Sequence, residues 1–188
     1  MNNFPTIQTE RLILNQPLHT DVPDIVRYID HPIIYQNTLN IPSPYYDKDA
    51  IIWLAKGQQG FEDGTIHRFA IRLKDDPTFI GAIGLIVDKR HNRAEVGYWI
   101  AEPFWNQGYM TEALAVMLQF GFTKVGLQKI IATYIPTNVA SSKVMEKCGM
   151  IKEGTLKDHT RKDGVYQTVI QYRLTKEEYE EYLASVTS

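Results

Sequence analysis

The period of the apolar positions changes several times along this chain, and each change marks an element. Leu12, Ile13 and Leu14 follow the polar run Thr9-Glu10-Arg11 and predict a first strand. Thr20 or Asp21 then caps a short helix reaching Ile29, with Pro23 in its first turn and Asp24 near its positive end. Pro32, Pro42 and Pro44 read as breaks in regular structure. Asp47 is the expected cap of a second helix, whose apolar face comes from Ile51, Ile52, Leu54 and Ala55 and which ends near Gly57 or Gly60.

The middle of the chain turns to strands. His67 to Leu73 alternates imperfectly, Asp75-Asp76-Pro77 supplies a turn, and Phe79 to Val87 is mostly apolar, so a hairpin is expected. Glu95 to Ile100 forms the next strand and Pro103 closes it. From Gly108 to about Lys124 the period becomes helical, with Met110, Ala113, Leu114, Met117, Leu118 and Gly121 on one face. Lys129 to Ile135 is a β-branched strand, and Asn138 to Lys147 a helix with Gly149 just past its end. Two closing strands meet at Asp163-Gly164, a dipeptide suited to a type I′ turn. The order β-αα-βββ-α-β-α-ββ predicts a mixed sheet flanked by helices.

Composition narrows the class. A chain of 188 residues, 44% hydrophobic and 22% charged, without repeats or a flexible linker, reads as one domain over 1–188. Its core is expected at about 9–175, with 176–188 as a C-terminal tail. A net charge of −2 argues against nucleic-acid binding through bulk phosphate neutralisation. The single cysteine, Cys148, forms no internal disulfide and reads as a core residue, which makes the cytoplasm the default location. Five scattered histidines lack ligand spacing, so no metal is expected. The first residues lack a signal-like apolar core, and no run approaches membrane-span length, so no membrane partner is expected.

Chemistry concentrates where a strand runs through Glu95-Val96-Gly97-Tyr98-Trp99-Ile100-Ala101 into a short loop and then into the helix opened by Gly108. Unpaired backbone N–H groups and the positive dipole end converge at such a helix start, which suits an anion. Gly108 alternatively serves only the tight turn.

This junction, together with Thr9 to Leu14, Asn138-Val139-Ala140-Ser141 followed by Glu146-Lys147-Cys148-Gly149-Met150, and the Asp163-Gly164 hairpin, resembles the GNAT superfamily of N-acetyltransferases and its RimJ/RimL-like branch. The resemblance implies an α/β (α+β) single domain with a twisted, mostly antiparallel sheet of about seven strands and about four helices. It also implies a V-shaped splay between the fourth and fifth strands, and acetyl-CoA as cosubstrate. The family loop Gln/Arg-x-x-Gly-x-Gly/Ala maps onto Trp105-Asn106-Gln107-Gly108-Tyr109-Met110. Trp105 stands at its first position and Met110 at its small-residue position. Gln107, Gly108, Tyr109, Met110 and Thr111 are then the phosphate site, while Trp99, Ile100 and Ala101 border the pantetheine arm.

Glu95 is the first candidate for the base that takes a proton from the acceptor amine; otherwise it is a solvated edge charge or a partner of Arg93. Glu112 is already accounted for by the helix dipole. Many family members carry a tyrosine acid where this chain has Met145, which cannot donate a proton, so the branch pattern moves that role to Ser141. Ser141 alternatively hydrogen-bonds locally near its helix start. Asn138 is an N-cap and, by the resemblance, a hydrogen-bond partner of the cofactor. The acceptor implied by the branch is a protein N-terminal α-amine, such as that of a ribosomal protein. A small amine and a non-catalytic CoA-binding module remain the alternatives. Lys157, Arg161 and Lys162 make the last hairpin basic, either as a solvated turn or as a face for an acidic acceptor or a second copy in a homodimer.

Overall fold

The computed structural model describes residues 4–186. Eight strands form one sheet in the order β1-β2-β3-β4-β5-β6-β8-β7. They are β1 (Ile7–Gln8), β2 (Leu12–Asn15), β3 (Ile66–Leu73), β4 (Phe79–Asp88), β5 (Arg93–Ile100), β6 (Lys129–Tyr134), β7 (Ile151–Lys162) and β8 (Val165–Thr175). Every neighbouring pair is antiparallel except β5 with β6. The parallel step has to be made through a crossover, and α4 (Tyr109–Phe120) supplies it.

The sheet carries a core on each face. On one side Leu12, Leu14, Phe69, Ile71, Ile83, Leu85 and Val96 pack against Leu114, Met117 and Leu118 of α4, and Met145 of α5 (Val139–Lys147) joins them. On the other, Ala70, Phe79 and Ala82 meet Val22, Ile25 and Ile29 of α1 (Val22–Ile29) and Ala50 of α3 (Asp47–Asp63). Burying one such large aliphatic side chain contributes roughly 1.5–3 kcal/mol, so the two faces together anchor the layers. Arg72 and Asp21, 2.7 Å apart, form a buried ion pair between β3 and the start of α1.

Four differences from the sequence reading have local causes. Pro32 opens a short helix, α2 (Pro32–Asn37), because a proline is tolerated at the first helical position, where no N–H bond is needed; His31 Nδ1 accepts from the Ile33 amide. The second helix of the sequence reading, α3, starts after Tyr46 as its cap and runs on to Asp63, past Gly57 and Gly60. Gly60 lies against β3, where a Cβ would fall 2.5 Å from that of Ile66, so this glycine permits close packing and does not end the helix. The α4 helix stops at Phe120 and continues as a π turn, Gly121–Val125. Residues expected as a tail form α6 (Lys176–Val186), docked by Tyr179, whose ring stacks on Phe122 at 4.8 Å; residues 187–188 of that expected tail lie outside the described residues. No helix among the described residues is long and apolar enough to cross a membrane.

Candidate functional site

Strands β5 and β6 pair only at Arg93 with Lys129, Ala94 with Ile130 and Glu95 with Ile131. Beyond Glu95 they diverge, and this edge of β5 has no strand partner among the described residues. The gap is the expected splay, and it opens into a cleft of about 830 Å³, within the range that takes a small molecule or cofactor. Trp105 fixes the far end of β5 by donating its ring N–H to the Ile100 carbonyl at 2.7 Å. At Gly97 an added Cβ would meet nothing within 4 Å. No neighbour among the described residues requires glycine there, and its absent side chain keeps the cleft floor clear.

One end of the cleft is the start of α4. Gly108, with φ at 80°, is its N-cap in the left-handed region, where a Cβ is disfavoured. The amides that follow lack intrahelical acceptors and sit at the positive end of the dipole, an arrangement that binds phosphate. The tether of this turn is the polar run before β2. Glu112 accepts from the Thr9 hydroxyl, from the Arg11 amide at 2.8 Å and from Arg11 Nε at 2.7 Å. Arg11 also donates to the Gln107 carbonyl at 2.9 Å and lies over the Tyr109 ring. Burial raises the Glu112 carboxyl, but the bonds from Thr9 and Arg11 and the Arg11 charge outweigh it and hold the group below the usual carboxylate range.

Glu95 is half-buried on the α1–α3 side of β5, with Oε1 accepting from Thr133 Oγ1 at 2.6 Å. Thr133 is its partner, and Arg93, the alternative drawn from the sequence, pairs instead with Asp88. Tyr98 points the opposite way, toward the α4–α5 core, and donates its hydroxyl to the Ser141 carbonyl at 3.2 Å. Burial pushes this phenol well above its ordinary value, so it stays protonated at neutral pH. Asn138 caps α5 as expected, its side-chain oxygen accepting from the Ser141 amide at 3.3 Å. Met145 is buried behind this turn, and Cys148 is 2% exposed, its thiol pushed up to about 12 by burial.

The cleft thus gathers Glu95, Trp99, Ile100, Gly108, Tyr109, Met110, Thr111, Asn138 and Ser141 from the sequence-derived set. Met110 packs partly into the core, 8% exposed, which takes up its bulk. Ala101 is fully buried behind the wall, and the Gln107 side chain folds back onto the Pro103 carbonyl; neither lines the cleft. Tyr98 borders it too, as do Thr133 and Arg68, for which the sequence offers only the alternation of side chains along β3 and β6, and alternation alone does not say which face meets a ligand. Among the described residues no cluster of His, Cys, Asp or Glu is arranged to hold a metal.

Comparison with known proteins places this geometry. The model of the acetyltransferase (GNAT) domain matches residues 11–151. Over 177 residues the chain is 29% identical to a Bacillus licheniformis protein named uncharacterized N-acetyltransferase p20, covering 93% of this chain and 98% of that one. RimL, the ribosomal L7/L12 α-N-protein acetyltransferase solved with coenzyme A, superposes with a TM-score of 0.81 at 19% identity, over 91% of this chain and 98% of the other. Ribosomal-protein-S5-alanine acetyltransferase from Vibrio fischeri gives a TM-score of 0.80 at 19% identity, over 93% and 98%. At such identities the structural likeness speaks for the fold, while the domain match extends over most of the sequence that builds the cleft. The chain belongs to the GNAT acetyltransferase family.

Proposed function

We propose that this chain transfers acetyl from acetyl-CoA to a primary amine, and that the acceptor is the α-amine of a protein or peptide N-terminus. The observation that carries the reading is the splay itself, an unpaired β5 edge running from the amide cluster at Gly108 to the carboxylate of Glu95. Acetyl-CoA supplies an activated acyl group and a polyanionic handle. The residues at hand suit both: the α4 amides for the phosphates, and the free strand edge for an extended, amide-containing arm. Gly97 leaves that path open.

For the chemistry, an acceptor ammonium has to lose a proton before it attacks. Glu95, held by Thr133, takes that proton directly or through one water. A new C–N bond forms as the C–S bond breaks, and the second proton leaving the nitrogen passes through the Ser141 hydroxyl, or a water it holds, to the departing thiolate, so that Ser141 ends neutral. Asn138 and Tyr98 act as positioning residues for Ser141, one through its amide and the other through its carbonyl. Two features support a peptide terminus as acceptor. The cleft extends past the strands to residues 37–41, and ribosomal-protein acetyltransferases share the fold.

Thiol release from acetyl-CoA, measured against N-terminal peptides and small amines, tests activity and acceptor class together. Peptide α-amines are expected to react best. Ligand at 100 times its Kd should also raise stability by about 2.7 kcal/mol, so no thermal shift at millimolar acetyl-CoA would sink the reading.

A further inference from the structure

Two arginines of β3 point to the same face of the sheet, and they are treated differently. Arg72 is buried and fully engaged, with Asp21 at 2.7 Å, Asn15 Oδ1 at 2.9 Å and the Pro77 carbonyl at 3.0 Å. Arg68, four positions earlier, has no carboxylate within ion-pair distance among the described residues. Its guanidinium lies over the Trp53 ring at 4.4 Å, and Nη1 donates to the Trp53 carbonyl. No nitrogen of Arg68 is among the buried atoms left without a partner. Arg68 lines the large cleft and also a smaller hollow beside α3, which it shares with Trp53 and Gly57. Burial draws the guanidinium down to about 10, which still leaves it charged at neutral pH. A partly desolvated cation with planar donors and no internal anion is complementary to a carboxylate.

Strand register shows where that carboxylate would sit relative to the reacting amine. Arg68 pairs with Gly84, and Gly84 pairs with Gly97, so the three lie in one row across β3, β4 and β5 on a common face. Both positions between Arg68 and the splay lack side chains, which makes a lane along the sheet. The neighbouring row, Ile86 and Glu95, forms one bank, and Ala82 with Trp99 forms the other. Arg68 and Gly97 are two strand spacings apart, roughly 10 Å between Cα atoms. A cation at one end of the lane and the Glu95 carboxylate beside the other match a molecule that carries an amine and an acid a few bonds apart.

We infer that Arg68 is the acceptor-recognition residue of this enzyme, binding a carboxylate on the acceptor while the acceptor's amine lies at Glu95. This rests on the acetyl-transfer reading above and adds the acceptor's second functional group. The carboxylate belongs either to a small amino acid or to an acidic side chain close behind a peptide N-terminus.

The test uses matched pairs in the thiol-release assay: ω-amino acids of increasing length against their carboxamides, and peptides beginning Ser-Asp or Ser-Glu against Ser-Asn or Ser-Gln. The wild-type protein is expected to prefer the acid by on the order of 10- to 100-fold in kcat/KM in at least one series, the range for a hydrogen bond to a charged group. Preference in the ω-amino acid series identifies a small acid, and preference confined to the peptides identifies an acidic terminus. Arg68→Met should draw the acid-to-amide ratio toward one, Arg68→Lys should retain part of it, and thermal melts of both variants report folding separately. Equal rates for acid and amide with the wild-type protein overturn the inference while leaving acetyl transfer intact, an outcome that does not depend on any variant folding. Absence of thiol release with every amine overturns the acetyl-transfer reading itself.

Discussion

Replacing Gly108 with alanine separates a glycine needed for a turn from a glycine needed for a ligand. At φ of 80° an L side chain costs about 1–2 kcal/mol. The new Cβ would also stand 3.3 Å from Arg11 Nη2, the flexible end of a side chain that can shift by a few tenths of an ångström. Backbone strain therefore dominates the stability change. In a domain of this size that corresponds to a fall in Tm of about 2–8 °C, at about 2–4 °C per kcal/mol. Gly126 provides the control. It ends the π turn with φ of 79°, its added Cβ would meet nothing within 4 Å, and it lies outside the cleft. Gly126→Ala should lose comparable stability and bind coenzyme A as the parent does. Gly108→Ala should in addition weaken coenzyme A by on the order of tenfold or more, because strain there re-aims the first-turn amides that meet the phosphates. Calorimetric melts and titration calorimetry measure both quantities on the same samples. Equal coenzyme A affinity in the two variants would refute the assignment of the α4 start as the phosphate site.

Other expectations follow from individual side chains. Glu95→Gln should lower kcat by about 100-fold or more, and an unchanged kcat retires Glu95 as the base. Ser141→Ala should lower kcat by about 100-fold with little change in KM for acetyl-CoA, and an unaltered kcat would remove it as the proton source. With its thiol pushed up to about 12, Cys148 is almost wholly neutral at pH 8 and should resist iodoacetamide until denaturant is added. Rapid alkylation of the native protein would show that the site opens.

Local chemistry governed what was legible beforehand. The α4 start, the Asn138 cap and the Asp163-Gly164 hairpin each depend on residues within about one or two turns of one another, where periodicity and turn preference act. The C-terminal helix is hidden from the sequence for a related reason: α6 presents little apolar surface apart from Tyr179 and its neighbours, and it gains its place by docking onto Phe122. Pro32 likewise reads as a break until its position at a helix start is known.

By itself, then, the sequence determined the order of the main strands and helices and the strand-to-helix junction at Gly108, while β1, α2 and α6 escaped it. Tertiary structure decided which charges work together. Thr9 and Glu112 lie 103 positions apart, and Glu95 and Thr133 are separated by 38. Their meeting follows from the strand order and from the point at which β5 leaves β6. The contrast between Arg72, which has Asp21, and Arg68, which has no carboxylate, is equally invisible along the chain. A residue's type states what it can bind, but only packing determines whether the protein has already supplied the partner.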